Sequence, residues 1–456
     1  MKFYNRREEL EFLEDIIWRN KSDFCYFLGR RRIWKTSLIK YFFEEKEIKY
    51  IYFFVWNKTE WNLLKNFSET LKDYLWFEVK FSSLREFLKF IFEYSNKNPW
   101  LNIVFDEFQN FYFVNEEIFS DFQEFWDNYK DKSKINIFAI GSIFTLMEKV
   151  FNDKNSPLFW RTTARIFLDE FEINILKEIL EDYNLYSPKN LLDIYTLFWG
   201  VPKYLEIFDE LKGIDYKNNN LLENILKNNY ICKNSLFLNE WKDLLLAEFW
   251  KTHSINFSIL EAIAYSKTKR AEIANYTQIN YDSLWLYLEK LEKNYWYIEK
   301  INSIIYWKNK LNRYKIKDNF LTFWFRYIYK KSNLIEIWKY DELIKYINEN
   351  IKTSQWFVFE KLIKKLIIKQ NIDNKFIINF EQIWNYFDRT WKNEIDLICF
   401  NENNKEAVFI EIKLNKNKIT EEIKDWLKEK SETIEKFKIY KKYYLFYSIE
   451  DIDELI

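Results

Sequence analysis

Phe24–Leu28 is a short apolar run that ends in Gly29-Arg30-Arg31-Arg32-Ile33-Trp34-Lys35-Thr36-Ser37, and Thr36–Phe43 then repeats apolar residues at helical spacing. A strand turning through a glycine-led basic loop into a helix restricts this chain more than any other feature. The start of such a helix presents unpaired main-chain N–H groups, which suit phosphate. The loop follows G-x-x-x-x-G-K-[ST] except at Trp34. In that pattern the amides of residues 29–37 wrap the phosphates, Lys35 neutralises the β- and γ-phosphates, and the Thr36 hydroxyl ligates Mg²⁺. The second glycine lets the backbone curl with no side chain in the way. An indole at position 34 costs backbone freedom and is expected to crowd the phosphates.

The surrounding pattern alternates strands with helices, as a parallel α/β sheet requires. Lys49–Val55, Ile103-Val104-Phe105, Ile135–Ile140 and Arg165–Leu168 read as further strands, and Leu63–Leu75, Leu84–Tyr94 and Ile118–Tyr129 as helices. The third strand ends in Asp106-Glu107. Asp106 is expected to hold the Mg²⁺ and Glu107 to act as general base on the attacking water. Ser142, after the fourth strand, suits either a γ-phosphate sensor or a plain turn serine. Arg161 is a candidate for stabilising transition-state charge, against a surface arginine.

From Glu172 the pattern turns helical, through Ile175–Tyr183, Asn190–Phe198 and Lys203–Leu211, followed by a polar loop at Asp215–Asn220. Ser258–Tyr265, Arg270–Asn275 and Tyr281–Asn294 then form three short helices before a two-stranded wing at Tyr297–Glu299 and Ser303–Tyr306. That is a winged-helix pattern. The outer face of its last helix, with Tyr281, Asp282, Glu289 and Lys290, is not basic, so Lys267, Lys269 and Arg270 are the better phosphate contacts. DNA contact and packing within the protein are both open for it.

The tail pairs Glu394-Ile395-Asp396 with Glu411-Ile412-Lys413 about fifteen residues on. In E-x-K the two-residue pleat puts Glu411 and Lys413 on one face. This is the PD-(D/E)xK nuclease arrangement, with Asp396 and Glu411 as Mg²⁺ ligands, Lys413 activating water, and Glu360 as an extra ligand. An inactive nuclease fold that only binds fits the same residues. His253 receives no role.

Acidic and basic residues balance at 70 each, so no polyanion partner follows from net charge. Three scattered cysteines (Cys25, Cys232, Cys399) fit a reduced, cytoplasmic setting, the N-terminus lacks the apolar core of a signal peptide, and no apolar run is long enough to span a bilayer. Glycine, however, numbers 4 and tryptophan 20, where about 7% glycine is usual. Tryptophans also sit among turn signals, as in Asn57-Lys58-Thr59-Glu60-Trp61-Asn62 and Arg389-Thr390-Trp391-Lys392-Asn393.

Residues 1–250 resemble the archaeal-type ATPases of the AAA/STAND P-loop group. The likeness runs through Phe3–Leu10, the phosphate loop, Asp106-Glu107-Phe108-Gln109, Gly141-Ser142, Pro157–Arg161 and Trp199–Leu205. Residues 251–456 resemble the winged helix and nuclease-like domain of unknown function that often follow it, with Arg313–Arg326 carrying the match. Against that family, Trp34, Trp160, Trp199, Trp296 and Trp356 fall at positions usually held by glycine, whereas Trp126 and Trp324 fall at positions held by tryptophan. One reading explains both odd counts: most tryptophans are UGA codons that the source cell translates as glycine. The competing reading is a degenerate relative with genuine tryptophan.

The expected architecture is a P-loop parallel sheet with a helical lid, then a winged helix, then a small α/β restriction-endonuclease-like domain. The boundaries fall at 1–171, 172–250, 251–310, 311–350 (a helical connector) and 351–456. The expected activity is Mg²⁺-dependent ATP hydrolysis driving a switch, with ATP as ligand and DNA or a protein as partner. The alternatives are a non-catalytic nucleotide-binding scaffold and an ATP-regulated DNA nuclease. The sequence leaves the oligomeric state open.

Overall fold

A computed structural model describes residues 2–210, 221–233, 235–249, 253–301, 312–387 and 394–456. The chain divides into two compact units, one of residues 1–171 with 201–206 and one of residues 172–200 with 207–456. The short stretch Val201–Glu206 therefore belongs with the first unit, although the helical pattern on both sides of it is continuous in sequence.

The first unit is built on five strands: β1 (Asp23–Leu28), β2 (Ile51–Phe54), β3 (Leu101–Asp106), β4 (Ile135–Ile140) and β5 (Ala164–Phe167). They pair in the order β2-β3-β4-β1-β5, and every pair is parallel. Parallel strands need helical crossovers, which cover both faces of the sheet and leave the central strands buried on both sides. Accordingly β1, β3 and β4 are buried along their whole length. Their side chains alternate between two cores. Phe24, Tyr26 and Leu28 join Ile103, Phe105, Ile137 and Ala139 on one side. Cys25 and Phe27 join Val104, Phe138 and Ile140 on the other. The carboxyl ends of β1, β3 and β4 carry Gly29, Asp106 and Gly141, and ligands of such sheets bind beyond those ends.

The second unit begins with helices Ile173–Asp182 and Pro188–Phe198. Ser187 caps the second by accepting from the Asn190 amide, and Pro188 occupies its first turn. Three helices follow at His253–Ala264, Arg270–Thr277 and Tyr281–Lys293, near their expected places. Strand β6 (Ile298–Ile301) then pairs antiparallel with β7 (Arg313–Ile316). The expected strand Ser303–Tyr306 and the loop Asp215–Asn220 lie outside the described residues, as does the turn Arg389–Asn393. Residues from Arg313, expected to start a helical connector, instead begin as β7, because Arg313-Tyr314-Lys315-Ile316 alternates its exposed and buried residues.

A single helix of 33 residues, Tyr340–Ile372, runs through the boundary expected between residues 350 and 351. Leu343, Ile344, Ile347 and Ile351 are buried along it at helical spacing, and no proline or glycine interrupts it. The tail is a four-stranded sheet in the order β11-β10-β9-β8, made of β8 (Gln382–Phe387), β9 (Glu394–Asn401), β10 (Glu406–Ile412) and β11 (Lys441–Tyr447). Only β10 and β11 pair in parallel, joined through the helix Glu421–Thr433. Among the described residues no helix is long and apolar enough to cross a membrane.

The backbone separates the tryptophans into two kinds. Among the described residues, seventeen non-glycine residues have positive φ, and seven of them are tryptophan: Trp34, Trp76, Trp100, Trp160, Trp199, Trp296 and Trp338. Left-handed backbone is strongly disfavoured by a bulky side chain and free for glycine. Trp76 and Trp199 occupy the position just past a helix, where a left-handed residue closes the last turn. Trp76 and Trp160 are 92% and 86% exposed, so their rings pack against almost nothing. Trp126 and Trp324, by contrast, lie in helical backbone and are each 2% exposed. Trp356 departs from the expectation: it sits inside the helix Tyr340–Ile372, where no special backbone is needed.

Candidate functional sites

At the end of β1 the chain enters the loop through Gly29, whose φ is +141°. A Cβ on Gly29 would stand 2.4 Å from the Leu168 carbonyl oxygen, so only glycine passes. The helix Lys35–Glu45 starts immediately after Trp34, which has φ 63° and ψ 33°. Lys35 is buried, and its ammonium donates to the carbonyls of Gly29 (2.7 Å) and Arg30 (2.6 Å). Arg32 packs its guanidinium over the Tyr204 ring, 5.5 Å from its centre. Ile33 is buried in the core, so it anchors the loop from beneath. Arg31 and Thr36 are half-buried and Ser37 is exposed.

The Trp34 indole does not enter the phosphate loop's interior. It stacks at 5.7 Å on Phe3, meets Phe171 edge-on at 5.6 Å, and donates to Glu206 at 3.2 Å. The expected crowding is thus relieved sideways, while the backbone cost at position 34 remains.

Asp106 is the hub of the site. Its Oδ2 accepts from the Thr36 hydroxyl at 2.7 Å and from the Tyr52 hydroxyl at 2.6 Å, and its Oδ1 accepts from the Glu107 amide at 2.9 Å. Burial, then the Asp106 carboxylate beside it, pushes the Tyr52 phenol far above its ordinary range, so Tyr52 acts as a donor only. Glu107 has φ 57°, which turns its side chain out of the strand direction. Its Oε2 accepts from Ser142 at 2.7 Å and from the Gln109 amide. Gly141 makes room for Gln109, since a Cβ there would stand 2.5 Å from the Gln109 Oε1. Thus Lys35, Thr36, Asp106, Glu107 and Ser142 belong to one local constellation, together with Tyr52 and Gln109, which the sequence reading did not assign. Arg161 is engaged elsewhere: Asp127 accepts from it at 3.0 Å and the Pro157 carbonyl at 2.9 Å.

The tail holds a second cluster. Asp396 and Glu411 are buried on β9 and β10. The Asp396 Oδ2 accepts from the Ile412 amide at 2.7 Å, Glu411 pairs with Lys413, and Asn385 donates to Glu360 and to the Asp396 carbonyl, both at 2.7 Å. The second Glu411 oxygen is buried without a hydrogen bond. Burial, then Glu411 and Glu360, pushes the Asp396 carboxyl well above the usual carboxylate range. A cation would relieve that strain, so the pair suits a metal. No group of three or more acid, histidine or cysteine side chains among the described residues is arranged to hold one, so Glu360 does not complete a third protein ligand here. His253 starts a helix.

Residues 3–208 match a family described as an ATPase domain predominantly from Archaea, and residues 324–433 match one described as archaeal and bacterial proteins of unknown function. An uncharacterized protein of Methanocaldococcus jannaschii is 32% identical over 418 residues, covering 90% of this chain and 87% of that one. The chain belongs to the archaeal-type ATPase family. Within that family, an uncharacterized ATP-binding protein of the same organism is 55% identical over 47 residues, 10% of this ATPase and 80% of the relative. Among solved structures, a Walker-type ATPase of Pyrococcus abyssi is 20% identical with a TM-score of 0.49, covering 71% of this chain and 96% of that one. The ORC2 protein of Aeropyrum pernix, in ADPNP and ADP complexes, is 15% identical with a TM-score of 0.45, covering 76% and 96%.

Proposed function

We propose that this ATPase binds ATP with Mg²⁺ at the carboxyl ends of β1 and β3 and hydrolyses it, using the energy as a switch. The observation that carries this is the contact between the Thr36 hydroxyl and Asp106, 2.7 Å apart, beside a lysine on the same loop and a second acid on the next residue. Two oxygens so close fit a single Mg²⁺ between the loop and β3. When bound, the ion would supply positive charge to the phosphate oxygens. The amides of Gly29, Arg30, Arg31, Arg32, Ile33, Trp34 and Ser37 would wrap the phosphates and Lys35 would add its charge. Glu107 would orient the attacking water and accept its proton, held in place by Ser142 and Gln109. The working protein in this reading carries glycine at position 34.

The output is proposed to run toward nucleic acid. Three helices followed by an antiparallel pair, His253–Ala264 to Ile316, have the order of a winged helix. Arg270 donates to the Tyr281 carbonyl at 3.0 Å and Lys269 pairs with Glu272 at 3.5 Å, with Lys267 beside them as a contact for phosphate. The tail's Asp396, Glu411 and Lys413 support a second reading, an ATP-regulated nuclease. The buried, unbonded Glu411 oxygen beside a second buried acid favours it.

The test is ATP turnover by the full chain with glycine at position 34, with and without DNA. Turnover lost in E107Q with nucleotide still bound supports the proposed chemistry. Tight binding with no turnover marks a nucleotide-gated scaffold. DNA-stimulated turnover with metal-dependent nicking, abolished by D396A, marks the nuclease. Failure to retain nucleotide with Mg²⁺ present overturns the site.

A further inference from the structure

Tyr52 belongs to the constellation around Asp106, yet the proposed chemistry gives it no task. Strand β2 pairs with β3 so that Tyr52 lies beside Val104 and Phe54 lies beside Asp106. Tyr52 therefore starts two residues short of the carboxylate, about 6–7 Å along the strand. Its long side chain leans toward the carboxyl ends and spans that gap, and its hydroxyl donates to the Asp106 Oδ2 at 2.6 Å. A serine or threonine at this position is too short to do so. From the helix Lys35–Glu45, Lys40 lies over the Tyr52 ring, 4.3 Å from its centre. Lys40 is four residues after Thr36, on the same helical face, so the helix that carries Thr36 also holds the ring against the sheet.

An ionised carboxylate has about four places to accept hydrogen bonds, two on each oxygen. Thr36 and Tyr52 both donate to the Asp106 Oδ2, and the Glu107 amide donates to Oδ1. Oδ2 is thereby full, and Oδ1 keeps one place. Burial, then the Asp106 charge, holds the phenol proton on Tyr52, so it stays a donor and does not become a phenolate ligand. Thr36, in contrast, gives its proton to Asp106 and keeps its lone pairs for a cation. Thr36 faces Oδ2, so direct ligation shared with Thr36 falls on Oδ2. There it would have to displace Tyr52 and leave a half-buried phenol without its acceptor. Accepting from a metal-bound water at the open place on Oδ1 displaces nothing. Mg²⁺ gives up its waters reluctantly, whereas Ca²⁺ takes carboxylate oxygens readily and in larger number. A carboxylate with one oxygen already filled favours the ion that keeps its water.

We propose that Tyr52 is a positioning residue that fills the Asp106 Oδ2, keeps this carboxylate one water away from the bound cation, and so selects Mg²⁺ over Ca²⁺. The inference rests on the proposed nucleotide reading, and its test reads the cation's ligands rather than turnover.

The full chain with glycine at position 34 is compared with its Y52F variant, which keeps the ring and removes only the donor. Retention of a fluorescent, non-hydrolysable ATP analogue is titrated with magnesium chloride and, separately, with calcium chloride. Y52F is expected to lower the Ca²⁺ half-saturation relative to that of Mg²⁺ by about tenfold or more, the worth of one hydrogen bond to a charged group. Mn²⁺ then replaces Mg²⁺ on protein whose aspartates are isotope-labelled at the side-chain carboxyl carbon, and electron–nuclear double resonance reads whether that carbon is bound directly. The parent is expected to show no directly bound carboxylate and Y52F to show one, with an unchanged circular dichroism spectrum. Y50F removes the hydroxyl of a neighbouring tyrosine that stacks on Phe43, and is expected to match the parent in both readings. A directly bound carboxylate in the parent overturns the inference, whatever the variant does. So does a Y52F that keeps the parent's ion ratio and binds no carboxylate directly. In both cases nucleotide retained with Mg²⁺ leaves the proposed site standing. Equal shifts from Y50F and Y52F reduce Tyr52 to packing and overturn its role. A parent that retains no nucleotide with either ion overturns the site and the role of Tyr52 together.

Discussion

Trp76, Trp100 and Trp160 offer a direct measure of whether glycine belongs at the left-handed positions. All three lie in the first unit, at φ values of 67°, 70° and 61°. A left-handed residue with a Cβ costs about 1–2 kcal/mol. Glycine removes that cost and returns about 0.5–1 kcal/mol through the greater freedom of its unfolded chain. The net gain is about 1 kcal/mol per position, because the exposed rings of Trp76 and Trp160 surrender almost no buried area. Trp100, 44% exposed, gives up a contact with Lys134, 4.5 Å from its ring, together with some buried area, so its gain is the smallest of the three. The three sites lie far apart in sequence, so their effects should add, to at most about 3 kcal/mol. That is a large part of the roughly 5–15 kcal/mol by which a domain is stable. The assay is hydrogen exchange of the β1, β3 and β4 amides in the full chain, compared between protein carrying tryptophan and the triple glycine variant. About 3 kcal/mol corresponds to roughly a hundredfold slower exchange through unfolding. The triple alanine variant is the control: alanine deletes the ring but keeps the Cβ, so it should gain almost nothing. If glycine and alanine protect equally, or if glycine loosens the sheet, backbone strain is not what these tryptophans carry.

W126G, in right-handed helix and fully packed, should cost at least about 3–5 kcal/mol, read by the same exchange. The gene should carry TGA at codons 34, 76, 100, 160, 199, 296 and 338, and a peptide mass spectrum across residue 34 from the source cell should read glycine; TGG there refutes the recoding. G29A should prevent stable folding of the loop, seen as loss of nucleotide retention, because its Cβ would stand 2.4 Å from a carbonyl oxygen. Asp193 is buried, and burial raises its carboxyl to about 6 from 3.8. The folded state therefore holds the proton more tightly than the unfolded one, and stability is lost as pH rises from about 4 to about 6, by roughly 3 kcal/mol. D193N, which can still accept from Gln355, should be the more stable protein at pH 8 by about that amount relative to pH 3.5, measured by urea denaturation.

The parts of this fold that the sequence exposes are those where one local rule dominates. Strands β1, β3 and β4 are apolar along their length because helices cover both faces, and such runs stand out between turn signals. Ile135–Ile140 and Ile118–Tyr129 fall where periodicity puts them. Strand β8 does not stand out: Gln382–Phe387 is half-buried, and Asn385 in its middle faces Glu360 and the Asp396 carbonyl, partners that sequence cannot supply. The start of the helix Tyr340–Ile372 was hidden by its charge, although its buried leucine and isoleucines keep helical spacing. Around Asp106, the meeting of the basic loop with the acid pair was legible from motif and order. The Ser142 contact with Glu107 joins positions 35 residues apart, and Tyr52 reaches Asp106 across 54. Neither distance leaves a local trace. Arg161 shows the reverse: a plausible charge in sequence that folding commits to Asp127.

The arrangement around Asp106 also explains why position 34 matters more than the other left-handed tryptophans. Asp106 draws Thr36, Tyr52 and the Glu107 amide onto one carboxylate, so the loop's helix and β3 are fastened together there. Lys35 reaches back to the carbonyls of Gly29 and Arg30, and under the proposed function a phosphate would compete with both for its ammonium. Under the proposed function, admitting phosphate would need the backbone near residue 34 to turn, at the entry to that helix. A tryptophan there is tied by its ring to Phe3, Phe171 and Glu206, and rotation would pull that ring out of its stack. Glycine has no such tether and no left-handed penalty. Strain at Trp76 or Trp160 lowers stability alone; at Trp34 the same strain, with the added tether, falls within the loop to which the proposed function assigns phosphate.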